Sequence, residues 1–337
     1  MKLAEHLEFE LETPQDLDLE LTLNSSQAFQ WVRVGERWIG AVDGSIVALR
    51  SEGSRLVFEV YGAGLGESLL LDYFRLRDDV NTIVSRLSFD PLVTAAAKRF
   101  PGLRLLKQPP WECTLMFICS TNNNWKRISK MILNLNAMFG DSVDTPYGSC
   151  RTFPSAARLS AASIRDLKKC GLGYRAPMLR EAARMVHSGE VDLDSLRRLG
   201  YSEAVKGLQR LPGVGPKVAD CVALLSLGKL ESFPVDKWIR RIVADHYYWA
   251  LEPRDAQVLK DEKRSVSPSV YVRVGNAMRS LFGEYSGYAQ NYLYCYASRS
   301  PGRLLKVQRR IRAAPHGGDH KSAETSGSGS WKATGEL

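Results

Sequence analysis

Apolar and polar positions follow two different periods along this chain. Up to about residue 85 they tend to alternate, as in LEFELE, RWIGAV, SIVALR and RLVFEVYG, with glycine-containing turns between the runs. Alternation puts every second side chain on one face of an extended chain, so this stretch predicts an antiparallel sheet. Beyond residue 88 the spacing changes to three and four. FDPLVTAAAKRF, WECTLMFICST, WKRISKMILNLNAMFG and SIRDLKKCGLGYRAPMLREAARMVHSG each align apolar residues along one side of a helix. Boundary signals agree: Asn122 to Asn124 precede a helix at Trp125, Asp90-Pro91 opens another, and Gly173 and Gly189 follow or interrupt helical stretches. From about Ala313 the chain is rich in Gly, Ser and Thr and poor in large apolar residues. Burial there cannot offset the entropy of ordering, so residues 313–337 are expected to be disordered. No repeat at solenoid periods is visible. The expected fold class is α+β, with an antiparallel β domain over residues 1–88 packed on a helical region of two subdomains over residues 89–312.

Composition narrows the partners. The chain has 337 residues, 44% of them hydrophobic, and a net charge of +9. Residues 1–22 hold one Lys against seven Asp or Glu, whereas Arg299 to Arg312 hold six basic residues and no acidic one. The body between them is basic in its own right, which fits an anionic partner such as nucleic acid. The run Lys306 to Arg312 reads as a solvated or DNA-adjacent helix face. No apolar run approaches the roughly 20 residues of a bilayer helix, and the acidic N-terminus does not read as a secretion signal. Six cysteines, at 113, 119, 150, 170, 221 and 295, form no CxxC pair. They predict lone thiols in a reducing intracellular setting and no metal site.

The chemistry concentrates in LQRLPGVGPKVADCVALLSLGKLESFPVDKWIRRI, from Leu208 to Ile242. Two amphipathic helices flank the tight turn LPGVG, predicting a helix-hairpin-helix over residues 204–228. Gly213 and Gly215 leave main-chain N–H groups unshielded at the start of the second helix, where a DNA phosphate can dock. Pro216 suits the first helical position, and Lys217 sits in the first turn. The positive end of a helix disfavours an ammonium, and a neutral amine there is a nucleophile. A solvated lysine touching phosphate is the competing reading. Asp236 lies 19 residues on, where the chain can return a carboxylate toward that lysine. It also reads as the N-cap of KWIRRI, and both roles are compatible: the helix N-terminus would hold the carboxylate rigid and ionised, as a stabiliser of a developing cation should be.

This stretch resembles the helix-hairpin-helix glycosylases with a Gly/Pro-rich loop and an Asp, most closely the 8-oxoguanine DNA glycosylases. Four further blocks resemble the family in the same order: SSQAFQW from Ser25, Phe89 to Ile128 ending in the Asn triplet, FPSAARLS with GLGYRAP, and YSGYAQNYLYCYA from Tyr285. The resemblance implies that Lys217 attacks the sugar C1′ of a flipped nucleotide while Asp236 stabilises the growing positive charge, followed by a Schiff base and strand cleavage by β-elimination. Relatives that use the Asp to activate water lack the lysine. It also implies a base pocket of Ser26, Cys221, Gln290 and Tyr294, with Gln290 on the Watson-Crick edge and Cys221 and Tyr294 as stacking walls. Asn122, Arg127 and Arg175 match residues that hold the orphaned cytosine, and Tyr174 matches the wedge beside it. For Asn122 an N-cap, and for the arginines ordinary phosphate contacts, are the alternatives. Gly213, Gly215, Val218 and Trp238 match DNA-backbone contacts. Two positions depart from the family: Ser26 stands where the family usually has Gly, and Trp238 where it commonly has His. In the family the backbone carbonyl at the first position accepts the N7 hydrogen of oxidised guanine. Serine retains that carbonyl but adds a side chain that can crowd the base. The implied substrate is duplex DNA carrying 8-oxoguanine opposite cytosine, handled by a monomer without metal or organic cofactor, in the nucleus of a eukaryote or otherwise in the cytoplasm. A glycosylase for other damaged purines and a non-catalytic DNA-binding hairpin are the alternatives.

Overall fold

The computed structural model describes residues 6–13, 17–62 and 64–299. The tail read as disordered and the basic run Lys306 to Arg312 lie outside the described residues.

Five strands build one sheet: β1 (His6–Glu12), β2 (Val32–Val34), β3 (Arg37–Val42), β4 (Ser45–Glu52) and β5 (Arg55–Gly62). All neighbours are antiparallel in the order β1-β5-β4-β3-β2. The two-residue period does the sorting. Val47 and Leu49 of β4 pair with Val60 and Phe58 of β5, and these four point into one core with Trp31, Leu70, Tyr73 and Phe74. On the opposite face Glu59 accepts hydrogen bonds from Tyr61 at 2.7 Å and Arg37 at 3.0 Å.

Strand structure does not continue to residue 85. The sheet ends at Gly62, and α2 (Glu67–Tyr73) and α3 (Val80–Arg86) follow it, while α1 (Leu19–Leu23) interrupts it after β1. In SLLLDYF the apolar residues are contiguous, so alternation is absent, and Leu70, Tyr73 and Phe74 of that stretch cover the sheet. The side chain of Asp79 caps α3 by accepting from Thr82 N at 3.0 Å.

The helical region continues with α4 (Pro91–Arg99), α5 (Pro110–Ser120), α6 (Trp125–Phe139), α7 (Ala156–Ser160), α8 (Ile164–Lys169), α9 (Arg175–His187), α10 (Leu193–Arg198) and α11 (Tyr201–Leu208). After these come α12 (Pro216–Leu225), α13 (Lys237–His246), α14 (Pro253–Lys260), α15 (Pro268–Phe282) and α16 (Ser286–Arg299). Helix α5 is buried from Glu112 through Cys119 because its sequence is apolar nearly all round, and α6, α9, α10 and α12 pack about it. Helix α16 lies against α4, α13 and α15. One feature of this region lacks a helical pattern altogether. The hairpin β6 (Ser142–Thr145) and β7 (Gly148–Arg151) presents Tyr147, whose hydroxyl donates to Glu59 at 2.7 Å and ties the hairpin to the sheet.

Candidate active site

The turn between α11 and α12 places Lys217. Gly213 takes φ +86°, a left-handed conformation, and a β-carbon there would sit 3.3 Å from Ile118 Cγ2. Gly215 is the N-cap of α12 and supplies no side-chain cap; the helical ladder starts with Ala219 N donating to Gly215 O at 2.9 Å. The N–H groups of Lys217 and Val218 therefore have no intrahelical acceptor and point out of the helix end beside an exposed glycine. The Val218 side chain itself is buried. Pro216 occupies the first helical position, as the sequence predicts.

Lys217 Nζ reaches 3.5 Å from Ser120 Oγ and lies 5.4 Å from the centre of the Phe117 ring, so the end of α5 forms the floor beneath the amine. Asp236 caps α13, as its place in the sequence predicts: Oδ1 accepts from Trp238 N at 3.0 Å and from Ile239 N at 2.9 Å. The sequence also suggests that the helix end keeps this carboxylate ionised. In the fold the crowding of protein atoms outweighs it: burial pushes the carboxyl above its usual range, although the two N–H bonds and the Lys217 charge pull it down. Among the described residues no ion pair joins Lys217 to Asp236. The two face a common pocket and act on each other through space.

That pocket encloses about 270 Å³, and Ser26, Cys221, Gln290, Tyr294 and Trp238 line it with the two charged side chains. Cys221 lies one turn beyond Lys217, and burial pushes its thiol up to about 11, so it presents a neutral wall. Burial likewise pushes the Tyr294 hydroxyl up to about 12, against hydrogen bonding with Ser26. Gln290 donates from Nε2 to Pro234 O at 3.1 Å, which fixes the amide plane and leaves its carbonyl end turned away from that backbone. Ser26 adopts φ +63°, the left-handed region that glycine occupies without strain. Its neighbours hold it there: Ser25 Oγ donates to Thr22 O at 2.7 Å, and the Gln27 side chain bonds Arg104 O and Leu106 N.

A second group gathers between α5 and α9. Arg175 is buried, donates to the carbonyl oxygens of Thr121 and Leu172, and lies 4.4 Å from the centre of the exposed Tyr174 ring. Asn122 is exposed with φ +48°, and it is Asn124 that caps α6 by accepting from Arg127 N at 3.1 Å. The N-cap alternative for Asn122 therefore falls. Arg127 is exposed on the first turn of α6. The Trp238 ring is flanked by Lys237 Nζ at 5.2 Å and the Arg241 guanidinium at 5.4 Å, a cationic edge beside the pocket. Phe29, Phe117, Ser120 and Asn124 also line the pocket and escape the sequence reading; of these only Asn124, placed three residues before Arg127, carries a local signal.

Among the described residues no group of three His, Cys, Asp or Glu side chains could hold a metal ion, and no helix is long and apolar enough to cross a membrane.

Two family models match. Residues 10–114 match the 8-oxoguanine DNA glycosylase N-terminal domain, and residues 115–268 match the HhH-GPD superfamily base excision DNA repair proteins. An N-glycosylase/DNA lyase OGG1 of Arabidopsis thaliana is 33% identical over 84% of this chain and 78% of its own length. The N-glycosylase/DNA lyase of Saccharomyces cerevisiae is 28% identical over 83% of each chain. Among solved structures, the 8-oxoguanine glycosylase/lyase of Clostridium acetobutylicum in complex with double-stranded DNA containing cytosine opposite 8-oxoguanine superposes with a TM-score of 0.74 and 27% identity, covering 89% of this chain and all of that one. With its antiparallel sheet, its helix-hairpin-helix and this extent of similarity, the chain belongs to the 8-oxoguanine DNA glycosylase family of the HhH-GPD superfamily.

Proposed function

We propose that this protein is a DNA base-excision repair enzyme that flips 8-oxoguanine opposite cytosine out of the duplex, removes it, and nicks the strand. The observation that carries the reading is the convergence of Lys217 and Asp236 on one pocket walled by Ser26, Cys221, Gln290 and Tyr294. Lys217 Nζ attacks C1′, the glycosidic bond breaks, and its electron pair leaves with the base, which takes up a proton. Asp236 stabilises the positive charge that grows on the sugar. Opening of the sugar at O4′ gives a Schiff base, and loss of a C2′ proton then expels the 3′ phosphate. This chemistry uses no metal and no organic cofactor.

The flipped base meets Gln290 on its Watson-Crick edge between Cys221 and Tyr294, with the Ser26 carbonyl toward N7. Tyr174 wedges beside the vacated position, while Asn122, Arg127 and Arg175 hold the cytosine. The bonds of Arg175 to the Thr121 and Leu172 carbonyls orient its guanidinium and leave three of its five N–H donors for the cytosine. Main-chain N–H groups around Gly213, Gly215 and Val218, with Trp238, take the DNA backbone. The enzyme acts as a monomer, in the nucleus of a eukaryote or the cytoplasm otherwise.

Borohydride trapping on a duplex with one 8-oxoguanine opposite cytosine tests the reading, run beside Lys217→Gln and an undamaged guanine control. The expected result is a covalent adduct with the unaltered protein only, and only on the lesion. Base release without an adduct would make water the nucleophile, and absence of both would remove this substrate.

A further inference from the structure

Asp220 is 2% exposed, sits between Lys217 and Cys221 on α12, and has no part in the chemistry above. Its carboxylate is the centre of a cluster drawn from four elements. Oδ1 accepts from Tyr201 Oη at 2.5 Å and from Ser232 Oγ at 2.8 Å, a hydroxyl whose one proton is shared with the Asp220 main-chain carbonyl at 2.9 Å, and Oδ2 accepts from Tyr271 Oη at 2.7 Å. Tyr271 Oη in turn accepts the N–H of Val235 at 3.2 Å, the residue immediately before Asp236. On the other side Tyr201 Oη accepts from Arg279 Nη1 at 2.7 Å, and the guanidinium lies 4.3 Å from the Tyr201 ring centre. A buried carboxylate is tolerated because three hydroxyls donate to it and one cation stands a single tyrosine away.

The connections have a particular direction. Lys217 rides on α12, and Asp236 ends the segment 232–236 that leads into α13. Nothing joins the two side chains directly, so their separation depends on how this segment is held against the helix. Two of the Asp220 bonds do that, one at each end: Ser232 directly, and Val235 through Tyr271. The Tyr201 bond ties the same carboxylate to the first helix of the hairpin.

We infer that Asp220 is a positioning residue, whose carboxylate sets the spacing between the Lys217 amine and the Asp236 carboxylate by clamping residues 232–235 onto α12. The inference rests on the base-excision reading for its two catalytic groups. Base departure needs Lys217 and Asp236 together, whereas formation of a Schiff base at a ready-made abasic site needs the amine alone. Loosening the clamp therefore slows the first more than the second, a difference that a simple loss of folded protein cannot produce.

The experiment compares Tyr271→Phe, which removes both bonds of that hydroxyl and keeps the charge, with Ser232→Ala, a smaller change that guards against misfolding of the first. Single-turnover base release from the 8-oxoguanine duplex and borohydride trapping on abasic duplex are measured with binding of the same duplexes. The expected result for Tyr271→Phe is base release slowed roughly 30-fold and trapping slowed about threefold, with duplex binding unchanged; misplacement by about 1 Å costs rates of that order. Ser232→Ala is expected to follow the same ratio at smaller size. Equal slowing of both reactions, or of neither, in the variants that fold would overturn the clamp. If the unaltered protein traps on abasic DNA but releases no 8-oxoguanine, the substrate reading fails. The clamp is then decided by crystal structures of the unaltered protein and Tyr271→Phe, in which residues 232–236 must move away from α12 or the clamp fails too.

Discussion

Gly287 offers a direct test of how closely the pocket helix must approach its neighbours. It lies in α16 three residues before Gln290 and seven before Tyr294, so all three share one face. A β-carbon there would overlap Leu224 Cδ1 and lie 2.8 Å from Leu230 O and 3.1 Å from Ser232 O. The leucine methyl can turn aside, but the carbonyls cannot. Their loop is held by Lys229 N to Ala223 O at 3.0 Å and by the Ser232 hydroxyl on Asp220. In Gly287→Ala the helix must back away, stretching the bond from Gly287 N to Leu230 O, now 2.7 Å. Overpacking costs about 1–3 kcal/mol and the weakened hydrogen bond about 1 kcal/mol, while alanine returns about 1 kcal/mol of helix propensity. The net loss is about 1–3 kcal/mol, or a fall of roughly 1.5–4 °C in melting midpoint for a protein of this size. Retreat of the helix also pulls Gln290 from Pro234, so single-turnover base release should fall at least about tenfold. Gly207→Ala is the control. Its β-carbon would meet only the side chain of Leu196, nearest 2.5 Å from Cδ2, and it should change stability by less than about 1 kcal/mol. Thermal unfolding and burst kinetics decide the matter: Gly287→Ala with an unchanged midpoint and an unchanged rate would refute the close-approach argument.

Other expectations follow from groups whose environment is explicit. Because burial raises the Asp236 carboxyl in the folded state, its stabilising contribution is complete below the carboxylate range and is lost as pH rises through the folded value. Asp236→Asn should therefore melt higher than the unaltered protein near pH 7, with the gap closing in acid, while base release falls at least about 100-fold; a lower midpoint at pH 7 would contradict this. Glu59 has the opposite sign. Burial pushes it up, but hydrogen bonds from Tyr147, Tyr61 and Arg37 outweigh that and hold it below its usual range. Its contribution is present at neutral pH and lost as pH falls through the folded value, so Glu59→Gln should cost about 2–4 kcal/mol at pH 7 and little in strong acid, read by urea unfolding at both. Ser26→Gly relieves about 1–2 kcal/mol of left-handed strain against about 0.5–1 kcal/mol of added chain entropy, so its midpoint should stay within about 3 °C of the unaltered protein. Ser26→Val, β-branched in the same conformation, should melt clearly lower.

What the sequence makes legible is what neighbours along the chain decide. The LPGVG turn, Pro216 at the head of α12 and Asp236 at the head of α13 are each settled within a few residues, and the fold places them as read. The resemblance to a family then assembles the pocket from blocks that share no local signal. Where local pattern is weak, the reading slips. Helices α2 and α3 are each only seven residues long, with contiguous apolar residues in α2 and just Val80, Ile83 and Val84 at helical spacing in α3, and the hairpin around Tyr147 is fixed by a hydrogen bond to a glutamate 88 residues earlier. Asn122 and Asn124 are equivalent as letters; only the backbone decides that the second caps the helix while the first turns left-handed. The Asp220 cluster is invisible for the same reason, since Tyr201, Ser232 and Tyr271 meet it from 19, 12 and 51 residues away.

The pocket's walls also bear on how the protein comes into being. Ser26 belongs to a segment made early in synthesis, and Gln290 and Tyr294 to the last described helix, which Arg299 fastens back by donating to Asn24 O at 2.8 Å. Lys217 and Asp236 are translated well before that helix emerges. A nascent chain can thus carry Lys217 and Asp236 while the pocket that they line is still missing a wall. The pocket is complete only once α16 has emerged and docked, so a chain that stops short of residue 286 lacks both walls that this helix supplies, Gln290 and Tyr294.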